Sequence, residues 1–270
     1  MNSGTPAGER ISHRDGSLVP GYGIHIQRYN HALPHCAGGC VLDAGCGIGY
    51  GSAHLASRGA ARVIGVDIAE EALAEARAAY RRPNLSFVRA DLMALDAATE
   101  LPASFDTIVN LENIEHLPDP ERFLVAARSR LDPARGVLVV STPNGRVTAR
   151  DATGEIRNPF HEKEYAPDEL RALLGRFFPS VHMSGQWRTP DGLLRTRSAE
   201  EAFRYRCDAY FNPTARLGRL ARRAIGYSVL PPPVFVESGD SYSTDTAIAA
   251  LDEPPYEWEP AYLLAVCRVR

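Results

Sequence analysis

The run V-L-D-A-G-C-G-I-G-Y, residues 41–50, constrains the fold of this chain more than any other stretch. Its apolar start leads into three alternating glycines, Gly45, Gly47 and Gly49, and a helical pattern follows. Glycine has no Cβ and can adopt positive φ, so such a turn lets a ligand approach the backbone closely. The spacing differs from the dinucleotide fingerprint G-x-G-x-x-G, whose third glycine would fall on Tyr50 or on Ser52. The run therefore predicts a ligand-binding turn that is not a dinucleotide site.

Short apolar runs alternate with helical patterns along the rest of the chain. The runs that predict strands are 40–45, 62–67, 85–91, 105–111, 136–142, 180–185 and 261–269. Helix-forming residues at i, i+3 and i+4 spacing predict helices at 52–57, 70–80, 120–131 and 167–178. This alternation is typical of an α/β fold, and we expect a doubly wound, mainly parallel seven-stranded sheet with helices on both faces.

The pattern also divides the chain. Residues 1–20 are polar and rich in Gly, Ser and Pro, which predicts a flexible arm. Residues 21–186 with 261–270 carry the strand and helix pattern, and 187–260 breaks into Arg-rich and Pro-rich stretches. We interpret 187–260 as an inserted segment for acceptor binding or oligomerisation. Because the N-terminus lacks an apolar signal stretch and no run approaches the roughly 20 apolar residues of a membrane helix, we expect a cytoplasmic protein.

Net charge and cysteine spacing limit the kinds of partner that we expect this chain to bind. A formal net charge of −3 gives no overall field that would attract a phosphate backbone, so we expect no nucleic acid partner. The five cysteines lack the paired C-x-x-C spacing of a structural zinc site. A small molecule or a glycan is favoured as the partner, and a homo-oligomer is left open.

Three aspartates lie at the ends of the first three predicted strands. Asp67 offers two oxygens that can accept both hydroxyls of a ribose, and Asp91 can accept from an adenine amino group between Ile68 and Leu92. Asp43 suits a cationic amino acid better than a pyrophosphate, which its carboxylate would repel. Each aspartate alone could equally be a helix N-cap or a solvated loop end. Three at consecutive strand ends favour one shared ligand crevice.

At this point the residues resemble the class I S-adenosylmethionine (SAM) dependent methyltransferases, over about 21–185 and the last strand. The resemblance implies that Asp43 and the three glycines hold the methionine part of SAM, Asp67 the ribose and Asp91 the adenine. It also places Asn110, in the fourth strand, among the cofactor-binding residues.

Four further segments resemble the bacterial subgroup that methylates sugars and polysaccharides, beside the ubiquinone-type O-methyltransferases. They are H-I-Q-R-Y at 25–29, E-N-I-E-H-L at 112–117, S-T-P-N at 141–144 and N-P-F-H-E-K-E-Y at 158–165. This resemblance implies that Arg28 pairs with the SAM carboxylate, a contact suited to the guanidinium fork. The segment 187–260 has no counterpart in the resemblance.

Methyl transfer to a hydroxyl needs an aligned acceptor and a base within hydrogen-bond reach. His116, beside Glu115, follows the fourth strand, and His161 lies on the long loop after the fifth. We predict His161 as the base and His116, with Glu115, as an acceptor contact, although either histidine could be a structural group. The acids and imidazoles of these loops could also supply ligands to a divalent metal such as Mg²⁺: Glu112, Glu115, His116, His161 and Glu162. Their spacing is not diagnostic, so metal dependence is left open.

These features favour SAM-dependent O-methylation of a sugar, a polysaccharide or a glycosylated metabolite. A second hypothesis is O-, C- or N-methylation of a phenolic or polyketide-type small molecule. A third is a SAM-binding protein without turnover. A nucleic-acid methyltransferase is disfavoured, because N-L-E-N-I-E at 110–115 replaces the Asn/Asp-Pro-Pro-Tyr/Phe motif expected after the fourth strand.

Overall fold

The computed structural model describes residues 13–14, 17–18, 22–148, 158, 160–188, 246–257 and 259–270. Within the predicted arm, the strands His13–Arg14 and Ser17–Leu18 form a short antiparallel pair. The rest of the arm and most of the predicted insertion 187–260 lie outside the described residues.

One eight-stranded sheet organises the described part of the chain. Its strands are β1 (Cys40–Ala44), β2 (Arg62–Asp67), β3 (Leu85–Arg89), β4 (Thr107–Leu111), β5 (Val137–Pro143), β6 (Ser180–Arg188), β7 (Thr246–Ala250) and β8 (Tyr262–Arg268). Their order is β3-β2-β1-β4-β5-β8-β6-β7. β1 to β5 pair in parallel, and β8 is antiparallel to both β5 and β6. The predicted doubly wound, mainly parallel α/β fold is confirmed.

The sheet has one strand more than the seven predicted. The additional strand, β7, neighbours β6 at the sheet edge and falls inside the segment 187–260. Its sequence T-A-I-A-A has only one large apolar residue, so its apolar pattern is too weak to predict a strand. β6 likewise continues to Arg188, three residues beyond the predicted end at Gly185. Both ends of the predicted insertion therefore contribute to the sheet.

Five helices cover the sheet in the described ranges: α1 (Tyr22–Cys36), α2 (Tyr50–Ser57), α3 (Glu70–Ala79), α4 (Pro120–Ser129) and α5 (Pro167–Gly175). α1 was not predicted, because Gly23 and Pro34 interrupt its helical pattern. The other four agree with the predicted helices to within three residues at each end. None of the five is long and apolar enough to cross a membrane.

Alternating side chains of the strands pack into two core layers. Val41 and Val63 belong to the layer that includes residues of α1 and α2. Their neighbours Leu42 and Ile64 belong to the layer that includes residues of α4 and α5. Because successive strand residues point to opposite faces, one apolar run in each strand supplies both layers. The carboxyl ends of β1, β2 and β4 remain free to position a site.

Candidate functional site

The glycine loop, residues 45–49, follows β1 and leads into α2. Gly45 has φ 84° and Gly47 has φ 52°, the left-handed region that L side chains rarely adopt. A Cβ on Gly45 would also come within 2.5 Å of Nδ2 of Asn113. A Cβ on Gly47 would meet nothing within 4 Å, so only the backbone conformation requires glycine there. Backbone conformation and contact with Asn113 both restrict Gly45, whereas backbone conformation alone restricts Gly47.

Asp67, at the end of β2, holds this loop from the side. Its Oδ2 accepts a hydrogen bond from the Gly47 N–H at 2.9 Å, and its Oδ1 accepts one from the Ala69 N–H at 2.9 Å. Each carboxylate oxygen can accept a further bond. Asp67 also lines the cavity described below, so its free acceptor capacity faces a possible ligand.

Asp43 lies beneath the loop rather than on the cavity wall. Its side chain is buried and accepts hydrogen bonds from the Ser52 hydroxyl at 2.6 Å and the Tyr29 hydroxyl at 3.2 Å. Burial raises the pKa of this carboxyl to about 6. Tyr29, which Asp43 holds in place, does line the cavity. In the structure Asp43 therefore reaches a ligand only through its neighbours.

Arg28, on α1, is fully buried beside the site. Its Nε donates to Oε1 of Gln186 at 2.7 Å, and its guanidinium carbon lies 3.8 Å from the centre of the Tyr262 ring. Its Nη1 is 3.4 Å from Oε1 of Glu112. Among the described residues, neither Nη1 nor Nη2 has a hydrogen-bond partner. Buried donors without acceptors are costly, so this guanidinium, which has Glu112 as an ion-pair partner only, suits a further carboxylate.

The cavity wall in the described ranges includes none of the remaining predicted cofactor residues. Asp91 is exposed, and its Oδ1 accepts from the Met93 N–H at 2.8 Å, so it caps a short 3₁₀ helix. Leu92 is in the core, Ile68 is half-buried and Gly49 begins α2. Asn110 is buried, and its Nδ2 donates to the carbonyl oxygen of Ala44 at 2.8 Å and to Asn113 at 3.0 Å.

A cavity of about 300 Å³ brings the glycine loop together with both predicted catalytic histidines. Gly45, Gly47 and Asp67 share its wall with Glu115, His116 and His161. Sequence reasoning did not assign several other lining residues: His25, Tyr29, Cys46, Ile48, Tyr50, Leu111, Asn113, Pro143, Asn158 and Tyr262. Most of them belong to the segments that carried the family resemblance or to the glycine run. Membership of these segments is the sequence feature that could have identified them.

The turn after β4 positions Glu112 and Glu115. Glu112 has φ 51°, the one positive value at a non-glycine residue in the described ranges, and its Oε1 accepts from the Ser141 hydroxyl at 2.8 Å. Glu115 is buried, and burial together with the nearby Glu112 raises its pKa well above the usual range. Its carbonyl oxygen accepts from the Glu162 N–H at 2.8 Å, which ties this turn to the loop that carries His161.

The rings of His116 and His161 contact each other in the cavity wall. Their centroids are 4.9 Å apart in an edge-to-face arrangement. Nδ1 of His116 lies 2.9 Å from the carbonyl oxygen of Phe160, and Nδ1 of His161 lies 2.8 Å from Oε1 of Glu164. A carbonyl and a carboxylate oxygen only accept, so each Nδ1 is the donor in its contact. Each ring therefore directs its Nε2 lone pair away from these partners.

Glu115, His116 and His161 are also close enough to share a divalent cation. One ligand atom from each lies within 4.8 Å of the others, in the described part of the chain. A carboxylate with two imidazoles suits a transition metal better than Mg²⁺, which prefers oxygen ligands. Glu112 and Glu162, which we also considered as ligands, are not in this group.

Comparisons with known proteins bear on the family of this chain. The family model described as a methyltransferase domain matches residues 41–134. A probable SAM-dependent methyltransferase of Mycobacterium tuberculosis is 42% identical over 168 residues, which cover 62% of this chain and 58% of that protein. A ubiquinone biosynthesis O-methyltransferase of Idiomarina loihiensis is 36% identical, with 58% of this chain and 69% of that protein covered.

A solved structure gives the same fold. The SAM-dependent methyltransferase of Mesorhizobium loti has a TM-score of 0.55 and 21% identity, covering 90% of this chain and 96% of its own. The chain spans 58% of the length of the mycobacterial relative, and a larger share of the Idiomarina enzyme. The matched region contains the glycine loop, Asp67 and the turn after β4. This chain therefore belongs to the class I SAM-dependent methyltransferases.

Proposed function

We propose that the protein transfers a methyl group from SAM to a hydroxyl of a sugar, a polysaccharide or a glycosylated metabolite. The observation that carries the proposal is the shared cavity, whose wall contains both the glycine loop and His161. A donor held at the loop and an acceptor held at the histidines would then meet in one space. Proximity of this kind supplies a large part of the catalysis of group transfer.

The residues present fit SAM. The two unpartnered Nη groups of Arg28 suit its carboxylate, and the free acceptor capacity of Asp67 suits its ribose hydroxyls. Asp91 keeps one carboxylate oxygen available for the adenine amino group, because only its Oδ1 caps the following helix. Asp43 contributes through Tyr29 and Ser52, which it orients. When bound, SAM supplies an electrophilic methyl group on a positively charged sulfur.

His161 is the proposed base. His161 lines the cavity; its Nδ1 is held by Glu164, and its Nε2 faces Nδ2 of Asn158, which lines the cavity too. The hydroxyl proton of the acceptor passes to this Nε2 as the oxygen forms its bond to the methyl carbon. His116 contacts the acceptor, and Glu115 ties the turn after β4 to the His161 loop through its carbonyl oxygen. Glu115 and the two histidines provide the alternative of binding a divalent metal.

A hydroxylated acceptor suits the polar wall of this cavity. His25, Asn113 and Asn158 add hydrogen-bonding groups beside the two predicted catalytic histidines. Oriented polar groups of this kind fix the position of a ligand and give specificity. The resemblance of the segments 112–117 and 158–165 to sugar methyltransferases supports the same acceptor class.

A phenolic acceptor is the second candidate. The observation in its favour is the similarity to the ubiquinone biosynthesis O-methyltransferase of Idiomarina loihiensis at 36% identity. The aromatic side chains of Tyr29, Tyr50 and Tyr262 on the cavity wall could stack on a flat ring. C- or N-methylation of a polyketide-type molecule belongs to the same candidate class.

Radiolabelled methyl transfer tests the proposal. The full chain is given SAM with either nucleotide-linked and free sugars or catechols and polyketide-type phenols. We expect label in the sugars as methyl ethers. Label in the phenols alone would support the second candidate. Calorimetric binding of SAM without transfer to either set would indicate a non-catalytic SAM-binding protein.

Two further parts of the proposal concern the whole protein. We place it in the cytoplasm, and we assign 187–260 to acceptor binding or to oligomerisation. Replacing residues 190–244 with a Gly/Ser linker keeps β6 and β7 and tests the assignment. Unchanged SAM affinity with lost transfer supports a role in acceptor binding. A change in the number of subunits per particle in solution supports a role in oligomerisation.

A further inference from the structure

We infer that Asn158, His161 and Glu164 form a hydrogen-bonded relay that selects a hydroxyl, rather than an amine or a carbon, as the methyl acceptor. The inference rests on the proposed function, because it concerns the acceptor side of the same cavity. Asn158 and His161 both line that cavity, and Glu164 lies behind His161.

Glu164 fixes one side of the imidazole. Its Oε1 is 2.8 Å from Nδ1 of His161, and the side chains of Glu164 and His161 are 2% and 7% exposed. The Thr148 hydroxyl donates to the other carboxylate oxygen, Oε2. A carboxylate held from both sides in a buried place cannot turn away from the ring, so Nδ1 carries the proton.

Asn158 fixes the other side. Its Oδ1 accepts from the Phe160 N–H at 3.1 Å, which orients the side-chain amide. Its Nδ2 therefore faces Nε2 of His161, 3.0 Å away, as a donor. The two contacts assign the same tautomer of His161 independently: Nδ1 is protonated, and the lone pair of Nε2 accepts from Nδ2 of Asn158 until an acceptor hydroxyl takes that place.

An acceptor group that replaces the direct Asn158–His161 hydrogen bond meets one donor, Nδ2 of Asn158, and one acceptor, Nε2 of His161. It must accept a hydrogen bond from Nδ2 of Asn158 and donate one to Nε2 of His161. A hydroxyl oxygen has two lone pairs, so one can accept from the amide while the other attacks the methyl carbon. A neutral amine has one lone pair and cannot do both, and a carbon acceptor cannot accept from the amide. The pair therefore favours oxygen.

The transfer step balances with these groups. The hydroxyl proton moves to Nε2 of His161, and the O–H electron pair stays on oxygen. An oxygen lone pair forms the new O–C bond, the C–S bond breaks, and its electrons remain on sulfur. The products are the methyl ether, S-adenosylhomocysteine and an imidazolium. Glu164 stabilises that imidazolium as its ion-pair partner.

Nitrogen-15 NMR of the His161 ring tests the relay without any acceptor. The full chain is measured with S-adenosylhomocysteine, and the His161→Gln variant identifies the signals. We expect protonated Nδ1 and unprotonated Nε2 in the wild type at pH 7.5. A proton on Nε2 would overturn the inference, whether or not the protein methylates anything.

Asn158→Asp is the sharpest variant, because it keeps an oxygen for the Phe160 N–H and replaces the donor toward His161 by an acceptor. We expect Nε2 to gain a proton while Nδ1 keeps its proton toward Glu164, so that the ring becomes an imidazolium that cannot act as a base, and transfer is lost. Asn30→Asp is the matched control, since Asn30 lies 2.7 Å from Nε2 of His54 outside the cavity. It should leave the His161 signals unchanged. Unchanged His161 signals in Asn158→Asp would contradict the inference.

Glu164→Gln tests the other side of the ring with an isosteric neutral group. We expect kcat to fall by about 10-fold or more, while the KM for SAM stays within about twofold. Glu100→Gln removes an exposed carboxylate elsewhere and is the control. An equal loss in kcat and in SAM binding would indicate a structural role for Glu164. If the variant does not fold, the wild-type tautomer and Asn158→Asp still decide the question.

Matched acceptors test the selection itself. 3,4-Dihydroxybenzoate and 3,4-diaminobenzoate form one pair, and glucose and glucosamine form the other. Mass spectrometry locates the added methyl group. We expect methyl on oxygen in every product, including that of glucosamine. N-methyl products at comparable rates would overturn the selection, even if the proposed methyltransferase activity holds.

Discussion

The carboxylate of Asp67 accepts a hydrogen bond from the backbone N–H of Gly47 at 2.9 Å. This contact joins the end of β2 to the loop that follows β1, so one aspartate both shapes the glycine loop and faces the cavity. Loop shape and ligand contact therefore change together when this carboxylate is removed.

Asp67→Ala should weaken SAM binding by more than about 10-fold, because hydrogen bonds to a charged group contribute roughly 1.5–3 kcal/mol each. Calorimetry measures the affinity, and circular dichroism checks the fold. Asp96→Ala, which removes a partly exposed carboxylate paired with Arg122, is the control. Equal affinity in the Asp67 variant and the wild type would remove Asp67 from the site.

Gly45 and Gly47 should respond differently to substitution. Gly45→Ala brings a Cβ against Asn113 and should lower the free energy of unfolding by about 1–3 kcal/mol. Gly47→Asn has open space and a residue that tolerates positive φ, so it should cost less than about 1 kcal/mol. We nevertheless expect its SAM affinity to fall more than about 10-fold, because the added side chain enters the cavity. Thermal denaturation and calorimetry separate the two effects, and normal binding by Gly47→Asn would place the ligand away from this loop.

Asp43 should make stability depend on pH in a predictable direction. Burial raises its pKa in the folded protein to about 6, above the ordinary 3.8. Between these values the folded state binds a proton that the unfolded state has released, so stability falls as pH rises. Relative to Asp43→Asn, the wild type should lose roughly 2 kcal/mol between about pH 4 and about pH 6. Urea denaturation across this range measures the difference, and a constant difference would contradict the assignment.

Replacing Arg28 should weaken SAM binding more than it lowers the stability of the fold. Arg28→Met removes the hydrogen bond to Gln186 and the ion pair with Glu112, but it also removes two buried NH₂ groups that make no hydrogen bond. Because these effects partly cancel, the apo protein should lose only about 1–2 kcal/mol of stability, while SAM affinity falls more than about 10-fold. Arg130→Met is the matched control, because that guanidinium donates to the carbonyl oxygens of Leu95, Pro102, Asp96 and Ala98. It should lose about 2–4 kcal/mol of stability and keep its SAM affinity. The reverse pattern, measured by urea denaturation and calorimetry, would make Arg28 a structural residue.

Strand positions were predictable from the sequence because short continuous apolar runs bounded by turns leave few alternatives. β2, for example, agrees with its predicted limits at both ends. The glycine loop and Asp67 were predictable for the same reason, since strand ends in a parallel sheet converge. α1 and β7 were not, because Gly23 and Pro34 weaken the first pattern and small residues weaken the second.

How far each site residue is buried, and whether it reaches the cavity, was not predictable from the sequence. The sequence places Asp43 and Asp67 at equivalent strand ends, yet Tyr29 and Ser52 cover the first and leave the second at the cavity. The roles of Asn158 and Glu164 could not be predicted from the sequence either, because their contacts with His161 depend on how the loop after β5 folds back. Sequence spacing states which residues follow a strand, whereas the three-dimensional packing decides which of them face a ligand.

The place of β8 between β5 and β6 has a consequence for folding during synthesis. β1 to β5 are made first and can pair in chain order, but β5 and β6 become neighbours of the same strand only when residues 262–268 leave the ribosome. Until then both strands present unpaired edges, and contacts of such large sequence separation form slowly. Tyr262, which packs against Arg28 and lines the cavity, arrives with that last strand. A nascent chain shorter than this should therefore be unable to retain SAM, however completely its glycine loop has formed.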